Sequence, residues 1–195
     1  MYGICPPLSR LALEGQLTLL QVPILQGCSP AQLAARLLST NLGSTVRDYV
    51  FIDFCAGGGG PTPWIEKHLN RAIESTPSSS TSAICNGPVI NGVTNSTSYA
   101  AVAAAPPNRP VRFVLTDLHP HVDDWKKAAS ASPNLSYVSD SVDAAQAPAD
   151  LVGRYKDEGT KVFRLFNLAF HHFDDPLAKA ILKNTIETSD GFGYD

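Results

Sequence analysis

Val50-Phe51-Ile52-Asp53-Phe54-Cys55-Ala56-Gly57-Gly58-Gly59-Gly60 is an apolar run that ends in an acid and breaks into four consecutive glycines. The run reads as a buried strand, and the glycines as a turn whose backbone passes close to something. Trp64-Ile65-Glu66-Lys67-His68-Leu69-Asn70 follows at helical spacing, with Pro61 and Pro63 near its first turn, where proline is tolerated. Strand, glycine turn and helix together form the unit that holds a small ligand at a helix N-terminus, at the carboxyl end of a parallel strand.

Working outward, the flanks supply the rest of a sheet. Ser29 is a candidate N-cap with Pro30 at the first helical turn, and Asn41-Leu42-Gly43 closes that helix. Tyr49–Phe54 is the first strand and the glycine-turn helix runs to about Ile73. Val111–Thr116 is a second strand ending at Asp117, and Asp123–Ala131 a short helix. Leu135–Val138 is a third strand, leading to Asp140 and Asp143, and Ala149–Lys156 another helix. Val162–Leu168 is a fourth strand, and Asp175-Pro176 opens a helix through Ile186. Alternating strands and helices imply an α/β fold with a mostly parallel sheet. A fifth strand begins at Gly191-Phe192-Gly193-Tyr194-Asp195 and is not completed, so the fourth strand is expected to leave an apolar edge.

Two other segments stand apart. Residues 1–48 read as an N-terminal helical cap, in which Leu17–Leu25 is either a lid or a helix covering the sheet. The stretch at about 75–110 is rich in Ser, Thr, Pro, Ala, Asn and Gly and reads as a low-complexity, disordered insertion in an α/β domain spanning 49–195.

Composition narrows the function classes. The chain has 195 residues and a net charge of −3, with no Lys/Arg run, which gives no footprint for nucleic acid. Cys5, Cys28, Cys55 and Cys85 are scattered without C-x-x-C spacing, which argues against a zinc site or a disulfide framework and for reduced, intracellular thiols. Leu8–Leu25 is interrupted by Arg10, Glu14, Gln16 and Pro23, so no membrane segment is expected. His119 and His121 have H-x-H spacing, but no acid or cysteine stands at ligand spacing and no metal is expected.

The glycine turn itself discriminates between ligands. A dinucleotide fingerprint, G-x-G-x-x-G, needs a third glycine, and that position is Thr62 in one register and Pro63 in the other. A phosphate-binding P-loop fails too, because no Gly-Lys-Ser/Thr follows.

Asp53-Phe54-Cys55-Ala56-Gly57-Gly58-Gly59 resembles the acid-x-G-x-G-x-G motif of class I S-adenosylmethionine-dependent methyltransferases, with Cys55 in place of the first glycine. The resemblance runs from about Ser29 to Phe192 and implies a three-layer, Rossmann-like methyltransferase sheet. It implies S-adenosylmethionine as cofactor, cradled by Asp53, Cys55, Ala56, Gly57 and Gly59. Asp117 would accept from the ribose hydroxyls and Leu118 would pack on the adenine. Asp143, beside Ala144 and Val142, would accept from the adenine amino group, with Asp140 as its competitor. Asn167, where aspartate is more usual, would accept from the cofactor's ammonium.

The segments Leu115-Thr116-Asp117-Leu118-His119-Pro120-His121 and Phe166-Asn167-Leu168-Ala169-Phe170-His171-His172-Phe173-Asp174-Asp175-Pro176 are similar to a fungal branch of that superfamily, which implies a small-molecule acceptor. Longer members of the branch continue past the Asp-Gly-Phe-Gly step into further strands or hydrophobic segments, which implies a chain short at its C-terminus, either truncated or non-catalytic if not an enzyme. His171 or His172 is the candidate base, because imidazole titrates near neutrality. Alternation would turn one of the pair to the cleft and the other inward; the other reading makes both structural turn residues. Trp64, Trp125 and Phe170 read as core or pocket wall.

Overall fold

The computed structural model describes residues 3–5, 28–75, 109–155 and 159–194. Apart from residues 75, 109 and 110, the expected insertion lies outside them, as does Leu17–Leu25. Six strands form one sheet: β1 (Gly3–Cys5), β2 (Tyr49–Phe54), β3 (Arg112–Thr116), β4 (Leu135–Tyr137), β5 (Lys161–Phe166) and β6 (Gly191–Tyr194). Their order is β1-β6-β5-β2-β3-β4. The five strands β2–β6 are mutually parallel, and β1 joins β6 antiparallel. Helices α1 (Pro30–Leu42), α2 (Thr62–Glu74), α3 (Val122–Ser130), α4 (Ala149–Gly153) and α5 (Asp175–Thr188) complete an α/β fold compatible with a Rossmann-like arrangement.

The chain builds outward from β2 through β3 to β4, then returns to the other side of β2 for β5 and β6. Between β2 and β5 the order reverses, and in such sheets the ligand crevice opens there, outside the carboxyl ends of the strands. The expected apolar edge on the fourth strand is not found. β5 lies between β2 and β6, and Gly191–Tyr194 is a formed strand whose far side is paired by Gly3–Cys5.

Period-two alternation divides the core. Tyr49 and Phe51, with Phe113, Leu115, Phe163 and Leu165, face α1, α2 and Trp125 of α3. Val50, Ile52 and Phe54, with Val114, Val162 and Phe166, face α4 and α5. In-register Phe51, Phe113 and Phe163 form a row across three strands, with ring centroids 4.9 Å and 5.1 Å apart. Gly191 sits beside the end of that row: a Cβ there would lie 2.8 Å from the Phe163 ring, so any side chain at 191 would have to displace Phe163.

Local signals explain the helix ends. Ser29 and Gln32 form a reciprocal capping box at α1, with Pro30 inside it. Asp174 accepts from Leu177 N–H at 3.0 Å to start α5. The far end of α5 is fastened by Arg164, fully buried on β5. Its guanidinium donates to Asn184 Oδ1 at 2.9 Å and to the Thr188 hydroxyl, and lies 4.3 Å from the Phe54 ring centre. Burial lowers its pKa to about 10, and the carbonyl-rich helix end partly offsets the buried charge.

The residues flanking 76–108 are tied together at the amino ends of the strands. Arg47, just before β2, donates to Ile73 O at 2.8 Å and to Arg109 O at 3.3 Å. Asn70 clasps Val111 by both main-chain groups, at 2.7 Å and 3.0 Å. One outcome is expected. Gly191→Ala costs about 1–3 kcal/mol in denaturant unfolding, since Phe163 must move.

Candidate functional site

The switch-point crevice is built from three chain segments: the turn after β2, the loop after β3, and the turn after β5. Cys55 leaves β2 at φ 64°, and Gly57, Gly59 and Gly60 follow at φ 51°, 106° and 46°. Left-handed backbone is free for glycine and costs a side chain roughly 1–2 kcal/mol. Cys55 therefore carries a conformational cost that a glycine at this position would not. The turn closes on itself through Gly59 N–H to Ala56 O at 2.8 Å. A Cβ built on Gly57 or Gly58 meets nothing within 4 Å, so space lies directly over the turn.

Two neighbours hold Gly57 from opposite sides. Its N–H donates to Asp117 Oδ2 at 2.8 Å, and its carbonyl accepts from the indole N–H of buried Trp125 at 2.8 Å. Asp117 Oδ1 accepts from His119 N–H at 2.8 Å. Each carboxylate oxygen carries two acceptor positions, so Asp117 keeps two for a ligand while anchoring the turn. Leu118 beside it is 49% exposed. The loop after β4 is stitched to this corner by Val142 N–H to Asp117 O at 2.8 Å and by the Ser141 hydroxyl to Leu118 O at 2.6 Å.

That stitching separates the two candidate acids. Asp143 is half-buried between buried Val142 and Ala144, folds its Oδ1 onto Ala145 N–H, and acts electrostatically on Cys55. Asp140 is exposed and acts on Arg154 instead. Three acids therefore converge around Cys55. Burial first, then the charges of Asp117, Asp53 and Asp143, raise its thiol pKa to about 12. Cys55 is a neutral wall residue, not a nucleophile.

Asp53 is fully buried and accepts from the Thr62 hydroxyl at the start of α2. Asn167 Nδ2 donates to that hydroxyl at 2.9 Å. The carboxyl ends of β2 and β5 and the first turn of α2 are thus one polar network. Beyond Asn167, Leu168 stands at φ 56° and is 53% exposed, which is why β5 ends at Phe166 and not at the expected Leu168. Cys55 and Leu168 are the two non-glycine residues with positive φ among the described residues, and both lie where the strand order reverses. Backbone strain of this kind concentrates at functional sites.

The histidine pair does not alternate between cleft and core, and both residues lie in a turn, the other of the two expectations. Phe170–His172 is a 3₁₀ turn, and its three-residue period turns Phe170 and Phe173 toward the core. Phe170 packs on Phe166 at 5.1 Å and on Tyr194 at 5.1 Å. His171 and His172 are both left exposed, ring centroids 3.9 Å apart, so neither packs inward. Trp64 is exposed rather than core, with Lys67 over its ring. Thr62 and Leu168 are site residues that the sequence reading gave no role, whereas Trp125, read as core or pocket wall, is buried and holds the Gly57 carbonyl. Among the described residues no group of three or more His, Cys, Asp or Glu could hold a metal, and no helix is long and apolar enough to cross a membrane.

Compared with protein families, with curated proteins and with solved structures, the chain matches none.

The thiol gives a direct check. At pH 8 iodoacetamide should label Cys55 about a thousandfold more slowly than a free thiol, from the gap between pKa 9 and 12. Because the folded pKa lies above the unfolded one, Cys55 contributes a stabilising term fully present below pH 9 and lost as pH rises toward 12. Unfolding of wild type against Cys55→Ala across pH 8–11 reads that slope, which the variant should lack.

Proposed function

We propose that the chain is an S-adenosylmethionine-dependent methyltransferase acting on a small-molecule acceptor, with its sheet a Rossmann-like methyltransferase sheet. The observation that carries this reading is the convergence of Asp117 and Asp143 on an open glycine turn at the switch point, with Asp117 bonded to Gly57. A carboxylate with unused acceptor positions suits a ribose diol, and a second acid on the neighbouring loop suits an exocyclic amino group. The resemblance of the Asp53–Gly59 and Phe166–Pro176 segments to that superfamily supports the same ligand. A dinucleotide is less well served, since the third-glycine position is Thr62 in one register and Pro63 in the other, and Thr62 is buried and bonded to Asp53.

In this reading Asp117 would hold the ribose, Asp143 and Leu118 the adenine, the Gly57–Gly59 backbone the amino-acid portion, and Asn167 its ammonium. Asp53, being buried, acts through Thr62 rather than on the ligand. The bound cofactor supplies an already activated methyl group on a sulfonium. The protein's task is then to orient the acceptor and exclude water, which can recover on the order of 7–11 kcal/mol of barrier. His171 and His172, exposed at the rim, would serve only an acceptor that must lose a proton.

A second reading, cofactor binding without methyl transfer, is favoured by that same exposure, which leaves the crevice without an enclosed base.

Isothermal calorimetry tests the reading at its first step. Wild type should bind S-adenosylhomocysteine saturably. Asp117→Ala should lose about 1.5–3 kcal/mol of affinity, and Asp140→Ala should lose none. No saturable binding by wild type sinks both readings. Saturable binding, with no label passing from methyl-labelled cofactor to fractionated cell extract, selects the second.

A further inference from the structure

A trans peptide unit carries its carbonyl on one side and the next residue's N–H on the other, so fixing one end aims the other. In the glycine turn the Gly57–Gly58 unit is fixed from the core side. Its carbonyl accepts from the indole N–H of Trp125 at 2.8 Å, and an indole N–H can only donate, so no choice of proton position enters. Trp125 is fully buried, and no peptide bond among the described residues is cis. The Gly58 N–H is therefore turned away from the indole, toward the exposed side, where a Cβ on Gly57 or Gly58 meets nothing within 4 Å. Among the described residues it has no acceptor. The amides on either side of it are already used, Gly57 N–H by Asp117 and Gly59 N–H by Ala56 O. The first turn of α2 has none to offer either. Thr62 N–H bonds Gly59 O at 3.2 Å, Pro63 has no N–H, and Trp64 N–H bonds Pro61 O at 3.0 Å.

We infer that Trp125 is a positioning residue that aims the Gly58 N–H into the crevice as a ligand donor, where it meets the carboxylate of an amino-acid-bearing ligand. Of the two charged ends of an amino acid, the ammonium has no lone pair to offer an N–H, whereas the carboxylate has several. The anchor thus lies in the turn itself and not at the N-terminus of α2, whose opening amides are satisfied within the chain. The inference rests on the proposed cofactor reading.

The test pairs S-adenosylhomocysteine with methylthioadenosine, which lacks the amino-acid portion. By calorimetry wild type should prefer the first probe. Trp125→Phe, which keeps a buried ring and removes the indole N–H, should lose about tenfold in affinity for S-adenosylhomocysteine and little for methylthioadenosine. In the proton–nitrogen correlation spectrum of wild type, the Gly58 amide should exchange rapidly with water in the free protein. It should shift and become protected with S-adenosylhomocysteine but not with methylthioadenosine. Equal loss for both probes marks Trp125 as merely structural and overturns its positioning role, as does unchanged binding by Trp125→Phe. Should Trp125→Phe fail to fold, wild type still decides: a Gly58 amide protected in the free protein, or unmoved by bound S-adenosylhomocysteine, overturns the inference. Wild type binding neither probe removes the cofactor reading itself, and the inference with it, a result distinct from binding both alike, which overturns the carboxylate contact alone.

Discussion

One bond between neighbouring strands, Gly57 N–H to Asp117, sets the carboxyl end of this sheet. A run of glycines has no preferred shape of its own, and its conformational freedom works against a fixed turn. Here the freedom is removed from outside. Asp117 takes the N–H, Trp125 takes the carbonyl, and the Gly59 N–H closes the turn on Ala56. The loop after β4 then hangs on the main chain of Asp117 and Leu118, so the second acid is placed relative to the first.

On the opposite side of the turn a second set of bonds does the complementary work. Asp53, Thr62 and Asn167 join β2, α2 and the residue just past β5 through buried polar atoms, and hydrogen bonds are stronger in such low-dielectric surroundings than in water. Between these two fastenings lie Cys55 and Leu168, both held in a backbone conformation that their side chains disfavour. Strain persists only where the surroundings over-determine it. The hydrogen bonds on either side are those surroundings.

The legible part of the fold was what period-two alternation and terminal signals encode. Phe51 and Ile52 point to opposite faces as the run required, and Ser29, Pro30 and Asp174 stand where the helices begin. What was not legible depends on distant partners. The pairing of Gly3–Cys5 with β6 has no local periodicity to announce it in three residues. Leu168 reads as the end of a strand, and only the tertiary fold turns it left-handed. For His171 and His172 the sequence left alternation and a turn open, and the 3₁₀ turn, with its period of three, decides between them. Thr62 was visible only as a missing glycine, and its hydroxyl's partners are 9 and 105 residues away in sequence. Asp140 and Asp143, three residues apart, separate only once the loop is bonded to Asp117.

The fastening of Ile73, Arg109 and Val111 by Arg47 and Asn70 has a consequence for how the two ends of the sheet communicate. The last turn of α2 and the residues that lead into β3 are locked to each other and to the segment before β2 by two side chains. A loosening at this amino pole would reach the glycine turn only along the length of β2, α2 and β3.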